Sequence, residues 1–243
     1  MRTAAALIIG NELLSGKIAD ANVVVLARAL RSLGVVFRRV VMVLDEIDVI
    51  AEEVRTLAAS HDYLFTSGGV GPTHDDVTID AVAKAFGVSS VASPPMEQML
   101  RDYYGDRLRE GHMRMARVPD GARLASKPHM PWPAIIMHNV WVLPGVPEIF
   151  QAKMPLVREL IGSDKPFVSL SVYTTMDEGT LKPMLDKVVS DYADVEIGSY
   201  PRWGGNDYRT KLTFDGVEGD RVRAACAAFA SSLPAETIVP IEP

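Results

Sequence analysis

Cysteine is almost missing from this chain: Cys226 stands alone among 243 residues. A lone thiol excludes an internal disulfide and any zinc cluster built on cysteines. It lies in an alanine-rich stretch and reads as a small buried helix residue. The compartment that this implies is a reducing cytoplasm. Positive charge is also short. The 25 Lys and Arg face 31 Asp and Glu, a formal net charge of −6. Nucleic-acid binders usually carry a basic excess, so no nucleic acid is expected as a partner. Long apolar runs are missing too; none reaches the ~20 residues of a membrane span, so no membrane is expected either. Ala4 to Ile9 is too short for a signal peptide, and Asn11 and Glu12 interrupt it where a cleavage site should follow. The histidines, His61, His74, His112, His129 and His138, are scattered without metal-ligand spacing, and only His74 falls in the candidate site. No G-x-S-x-G elbow, no G-x-G-x-x-G after the first apolar run and no repeat of solenoid period occurs.

What is present is a core-forming composition, 48% apolar, with a clear rhythm. Ala4 to Ile9 is continuously apolar, as a central parallel strand should be. Gly10 to Lys17 looks superficially like a phosphate loop. It is one residue too long, and Ile18 stands where Ser or Thr must be. Asn22 is placed as the N-cap of a helix over 23–33, Asp48 as the cap of 49–60, and Thr78 as the cap of 79–86. Strands are expected at 35–44 and 63–66. The alternation β-α-β-α-β-α predicts a three-layer α/β domain, a doubly wound, mostly parallel sheet with helices on both faces. A helix over 96–110 opens on Pro94-Pro95. Residues 111–133 read as irregular, with two short extended pieces at most. Strands at 134–137 and 140–143 lead into a helix over 147–161. Gly162 to Pro166 is the best linker, so domains are placed at 1–165 and 166–243. The second part reads β-α-β-β-α-β, a small α+β ferredoxin-like domain, with a polar turn at 203–207.

The chemistry concentrates at Thr66 to Thr78. The apolar run Tyr63-Leu64-Phe65 enters a Gly68-Gly69-Val70-Gly71 turn and an amphipathic helix leaves it. Glycines let the backbone bend sharply and bring N–H groups to an anion. The same turn also suits a strand-to-helix corner with no ligand. Asp75 and Asp76 follow it, with Thr73 beside them. Asp45 follows the second strand, at the edge where open α/β sheets bind ligands, and Glu12 lies at the same edge as ligand or base. Asp45 and Asp76 suit a divalent cation such as Mg²⁺, with Asp75 as a further candidate ligand. Pro144 and Gly145, in the Leu143 to Glu148 turn, can close the site from another strand.

Ile9-Gly10-Asn11-Glu12-Leu13-Leu14-Ser15-Gly16, Asp20, Asn22, Asp45, the Ser67 to Thr78 stretch and Leu143-Pro144-Gly145-Val146-Pro147-Glu148 occur in this order. Together they resemble the MoaB/Mog molybdopterin-binding domain family, more narrowly the N-terminal half of CinA-type proteins, over residues 3 to 165. The resemblance implies that Gly68, Gly69 and Gly71 hold the phosphate end of molybdopterin. It implies that Asp45 and Asp76 match aspartates needed to adenylylate it during molybdenum cofactor biosynthesis. In the CinA-type branch a similar site is linked to metal-dependent cleavage of ADP-ribose into AMP and ribose 5-phosphate. That would make the chain a hydrolase, an ADP-ribose pyrophosphatase. Relatives form dimers or trimers, so a homo-oligomer is implied. Residues 126–133 depart from the family pattern, where the far end of the ligand would lie.

Overall fold

The computed structural model describes residues 1–130, 132–162, 165–204 and 207–240. The chain divides into two units, 1–163 and 164–243. The first begins with β1 (Thr3–Ile9), a single turn α1 (Asn11–Leu14), α2 (Asn22–Arg31), β2 (Val36–Val43), α3 (Ile47–Ser60), β3 (Tyr63–Ser67) and α4 (Thr78–Phe86). An excursion follows: β4 (Ser90–Ala92), α5 (Pro94–Tyr104), α6 (Glu110–Met113), β5 (Arg117–Pro119) and β6 (Arg123–Ala125). The hairpin β7 (Ala134–Met137) and β8 (Val140–Leu143) and the helix α7 (Pro147–Ile161) complete it.

The main sheet has the order β2-β1-β3-β8-β7-β6. β2, β1, β3 and β8 run parallel, and β7 is reversed between β8 and β6. β1 is central and buried throughout from Ala4 to Ile9. Its residues alternate between two cores, as the period of two demands. Ala4, Ala6 and Ile8 pack with α2 and α7 on one face. Ala5, Leu7 and Ile9 pack with α3, α4 and α5 on the other. That alternation is the three-layer architecture in one strand. Because β1 feeds β2 on one side and β2 crosses back to β3 on the other, a crevice opens at the carboxyl ends of β1 and β3.

Helix starts differ from expectation for one shared reason: the polar side chains have tertiary work. Asn22 is the first residue of α2 and makes no cap; the Asp20 carboxylate accepts from the Val23 N–H instead, at 2.9 Å. Asp48 lies inside the first turn of α3 and pairs with Lys84 of α4. Thr78 lies inside α4, buried, its hydroxyl donating to the Gly68 carbonyl oxygen at 2.8 Å. The helix expected to reach residue 110 stops at Tyr104, because Gly105 takes a positive φ of 50°. β5 and β6 are the two short extended pieces expected within 111–133; β4, which pairs with β5 over three residues, was not expected.

The second unit holds β9 (Val168–Thr174), α8 (Glu178–Asp191), β10 (Glu196–Pro201), β11 (Thr210–Gly216), α9 (Gly219–Ser232) and β12 (Ile238–Val239). Its antiparallel sheet has the order β10-β11-β9-β12, the ferredoxin-like arrangement, over its own core around Phe214 and Phe229. Asp177 caps α8 by accepting from the Thr180 N–H at 3.2 Å. The expected linker includes Ser163 and Asp164, and the expected polar turn includes Gly205 and Asn206; these four lie outside the described residues. Among the described residues no helix is long and apolar enough to cross a membrane.

Candidate functional site

The carboxyl ends of β1, β2, β3 and β8 open onto one cleft of about 710 Å³. Its floor is the Gly68 to Thr73 loop. Gly68 and Gly69 have φ of 105° and 65°, in the left-handed region. A Cβ at Gly68 would run into the Ile9 carbonyl oxygen, so only glycine fits. The Gly68 N–H is used, donating to the Leu143 carbonyl at 3.3 Å. The next three, on Gly69, Val70 and Gly71, find no acceptor among the described residues. Gly69, Val70 and Gly71 are half-buried residues that line the cleft. Buried N–H groups rarely stay unpaired, and successive ones in such a loop make an anion nest.

The opposite rim is the Pro144 to Pro147 turn, which meets the glycine loop backbone to backbone. A Cβ on Gly145 would come within 3.1 Å of the Gly68 Cα. Asn22 stitches the two together. It is 3% exposed, and its Nδ2 donates to Ser67 Oγ at 2.9 Å and to the Gly145 carbonyl at 2.8 Å. Its Oδ1 is buried without a partner among the described residues. The sequence reading placed Asn22 as a cap and missed this role. Its position three residues before β-branched Val25 gives no local signal for it.

The acids gather at the mouth. Asp76 accepts from the Thr73 N–H at 2.8 Å and from its hydroxyl at 2.6 Å. Asp75 is reached by the same hydroxyl at 2.5 Å. One hydroxyl proton serves one oxygen at a time, so Thr73 ties the two carboxylates into a pair. That hydroxyl holds the Asp75 carboxyl below the usual carboxylate range. Asp45 accepts from the Asn11 N–H at 2.8 Å. Burial pushes its carboxyl up, against the Asn11 N–H, and Glu12, Asp75 and Asp76 push the same way. Thus Asp45, Glu12, Asp75 and Asp76 share one electrostatic neighbourhood and all line the cleft. His74 stands outside the cleft lining, its side chain 95% exposed, with Nδ1 4.0 Å from Asp75 Oδ1.

Metal binding can be tested on this geometry. Among the described residues no group of three or more His, Cys, Asp or Glu side chains converges on a metal position. Asp75 and Asp76 face each other across Thr73 while Asp45 is held by Asn11. A divalent cation therefore fits only as the companion of a bound phosphate, with one or two carboxylates and phosphate oxygens around it, the usual shell of Mg²⁺.

The other end of the cleft is apolar. Met96 and Tyr104 come from α5, Met115 from the turn after α6, and Trp132 from the segment before β7. The aromatic rings brace each other. His112 lies flat on Tyr104, centroids 4.0 Å apart, and Tyr103 packs on Trp132 at 5.1 Å. The 126–130 stretch turns through His129 in the left-handed region, φ 66°. Lys127 pairs with Glu159 of α7, and Lys153 of α7, fully buried, donates to the Trp132 carbonyl. Burial pulls the Lys153 ammonium down to about 8.

Residues 5–161 match the model of the probable molybdopterin binding domain. The chain belongs to that family. The first unit of this molybdopterin-binding-type chain superposes on the protein CinA of unknown function from Thermoplasma acidophilum, TM-score 0.61 and 28% identity. The superposition covers 66% of this chain and 98% of that one. A protein of Archaeoglobus fulgidus is 31% identical over 93% of this chain and 95% of its own length. Residues 166–242 match the middle domain of FAD synthase, which the sequence reading did not foresee. A Caenorhabditis elegans protein named a probable FAD synthase is 29% identical over 96% of this chain. The chain spans about half, 50%, of that relative.

Proposed function

We propose that the cleft binds a small molecule carrying both a phosphate and a flat heteroaromatic ring, a phosphorylated pterin or a nucleotide. The observation that carries this is the run of N–H groups at Gly69, Val70 and Gly71, without an acceptor among the described residues, in a loop that lines a cleft too large for phosphate alone. Molybdopterin, in the family's name, and FAD, in the nematode relative's, share that chemistry of ring and phosphate. The nest neutralises one phosphate. Asp45 and Asp76 address the charge beside it, through a divalent cation or a proton. Isothermal titration with molybdopterin, AMP and ADP-ribose tests the proposal. Binding of at least one, lost in Asp76→Asn, is expected. No heat with any of them leaves a fold without this site.

One observation favours a second reading, cleavage of a phosphoanhydride such as ADP-ribose. Asp45 lines the cleft with the glycine loop, and burial raises its proton affinity, the direction in which a carboxylate general base is tuned. It would take a proton from a water attacking phosphorus. The P–O–P bond breaks and two phosphate monoesters leave. A bound Mg²⁺ supplies charge neutralisation to the phosphates. AMP release from ADP-ribose, measured with and without divalent metal, decides it. Tight binding with no turnover under any metal returns the site to a binding role.

A further inference from the structure

We infer that the apolar end of the cleft is the seat of the ligand's ring, stacked on Trp132 beside Tyr104, and that Lys153 is the residue that positions Trp132. This rests on the phosphate reading of the glycine loop and adds a second, independent half to it. The rings of the chain are unevenly used. Trp141 is buried in the sheet at 4% exposure and Trp203 stands fully exposed in the second unit. Trp132 alone of the three tryptophans is half-buried and lines the cleft. The same cleft is lined by Met96, Met115 and Tyr104, residue types that recognise flat π-systems, and the Tyr104 ring lies 6.3 Å from that of Trp132. His112 lies flat on Tyr104 at 4.0 Å and Tyr103 meets Trp132 at 5.1 Å, so the wall is braced from outside the cleft.

The bracing by Lys153 is stronger still. A lysine at 0% exposure is rare without a charged partner. Here it donates to a backbone carbonyl, that of Trp132. Burying an ammonium to hold one peptide group makes sense where that group's position matters. A seat for a sugar or an acyl chain would need hydroxyl partners or a longer aliphatic lining. A seat of aromatic faces and thioethers suits a ring.

Titrating the full chain with AMP and with ribose 5-phosphate tests this, since only AMP adds the ring to a shared ribose phosphate. Wild type is expected to bind AMP roughly tenfold or more tightly than ribose 5-phosphate, the scale of base–aromatic stacking. AMP should also quench tryptophan fluorescence. Trp132→Ala should weaken AMP alone and bring the two ligands within about threefold. Trp132→Phe should keep the AMP preference and lose the quench. Lys153→Met should weaken AMP and spare ribose 5-phosphate, which serves if Trp132→Ala does not fold. Equal binding of both ligands by wild type, or equal loss of both in Trp132→Ala, overturns the ring seat and leaves the phosphate reading standing. Wild type that binds neither ligand overturns the ring seat, and wild type that also fails to bind molybdopterin and ADP-ribose overturns both.

Discussion

The two ends of the cleft are made in opposite ways. The glycine end is made of backbone: turns after β1, β3 and β8, fixed by a parallel sheet whose central strand is wholly buried. The aromatic end is made of side chains, delivered by the 94–133 excursion and pinned to α7. The glycine turns themselves are written in consecutive residues. Side-chain geometry of this kind is set by neighbours in space. On the proposed reading, the first end would serve any phosphate, while the second would select what the phosphate is attached to.

The sharpest way to break this contrast is Gly68→Ala. The positive φ and the collision with Ile9 should cost at least about 3 kcal/mol in urea unfolding, and AMP binding should vanish with it. A variant of native stability would mean that the loop is not a fixed backbone cradle. Lys153→Met tests the other end through pH. Burial pulls the Lys153 ammonium from its ordinary 10.5 down to about 8 in the folded chain. Below 8 both states hold the proton and the burial penalty is complete. Between those values only the unfolded state holds it, so wild-type stability rises with pH. Relative to Lys153→Met, that rise should reach as much as ~3 kcal/mol between pH 8 and 10.5. A flat difference between the two unfolding series would show the ammonium to be solvated, and the aromatic wall unpinned. Asn22→Ala should cost about 1–3 kcal/mol, since it strands the Gly145 carbonyl and frees Ser67. It should weaken AMP and ribose 5-phosphate together, because it disturbs only the glycine end; loss confined to AMP would join two ends that the structure separates. The smallest change is Thr73→Val. Carboxylate titrations by NMR should show Asp75 moving upward once its hydroxyl donor is gone. An unmoved Asp75 would mean that the pair is not tied through Thr73.

The same contrast governs what could be read from the chain. The order of strands and helices was legible, because apolar runs of the right period flank each glycine. The nest was legible because Gly68-Gly69-Val70-Gly71 lies within one turn. Asn22, Asp48 and Thr78 were not. Each sits where a cap belongs, and capping chemistry is the same chemistry that lets them bond across the fold. Only the approach of β3 to β8, of α3 to α4, and of the loop to α4 decides between the two. Trp132 was visible only as part of a departure from the family pattern. Its role depends on Met96 and Tyr104, some thirty residues earlier, and on Lys153, twenty-one residues later.

One helix touches both ends. α7 leaves the Pro144 to Pro147 rim and carries Lys153 to Trp132. From Pro147 to Lys153 an α-helix rises about 9 Å. If the rim seats the phosphate and Trp132 seats the ring, as proposed, that rise fixes the distance between the two seats, because helices do not stretch. A single residue inserted between them would swing Lys153 about 100° around the axis and release Trp132. In relatives, the spacing from this rim to a buried lysine would then report the length of the molecule they hold.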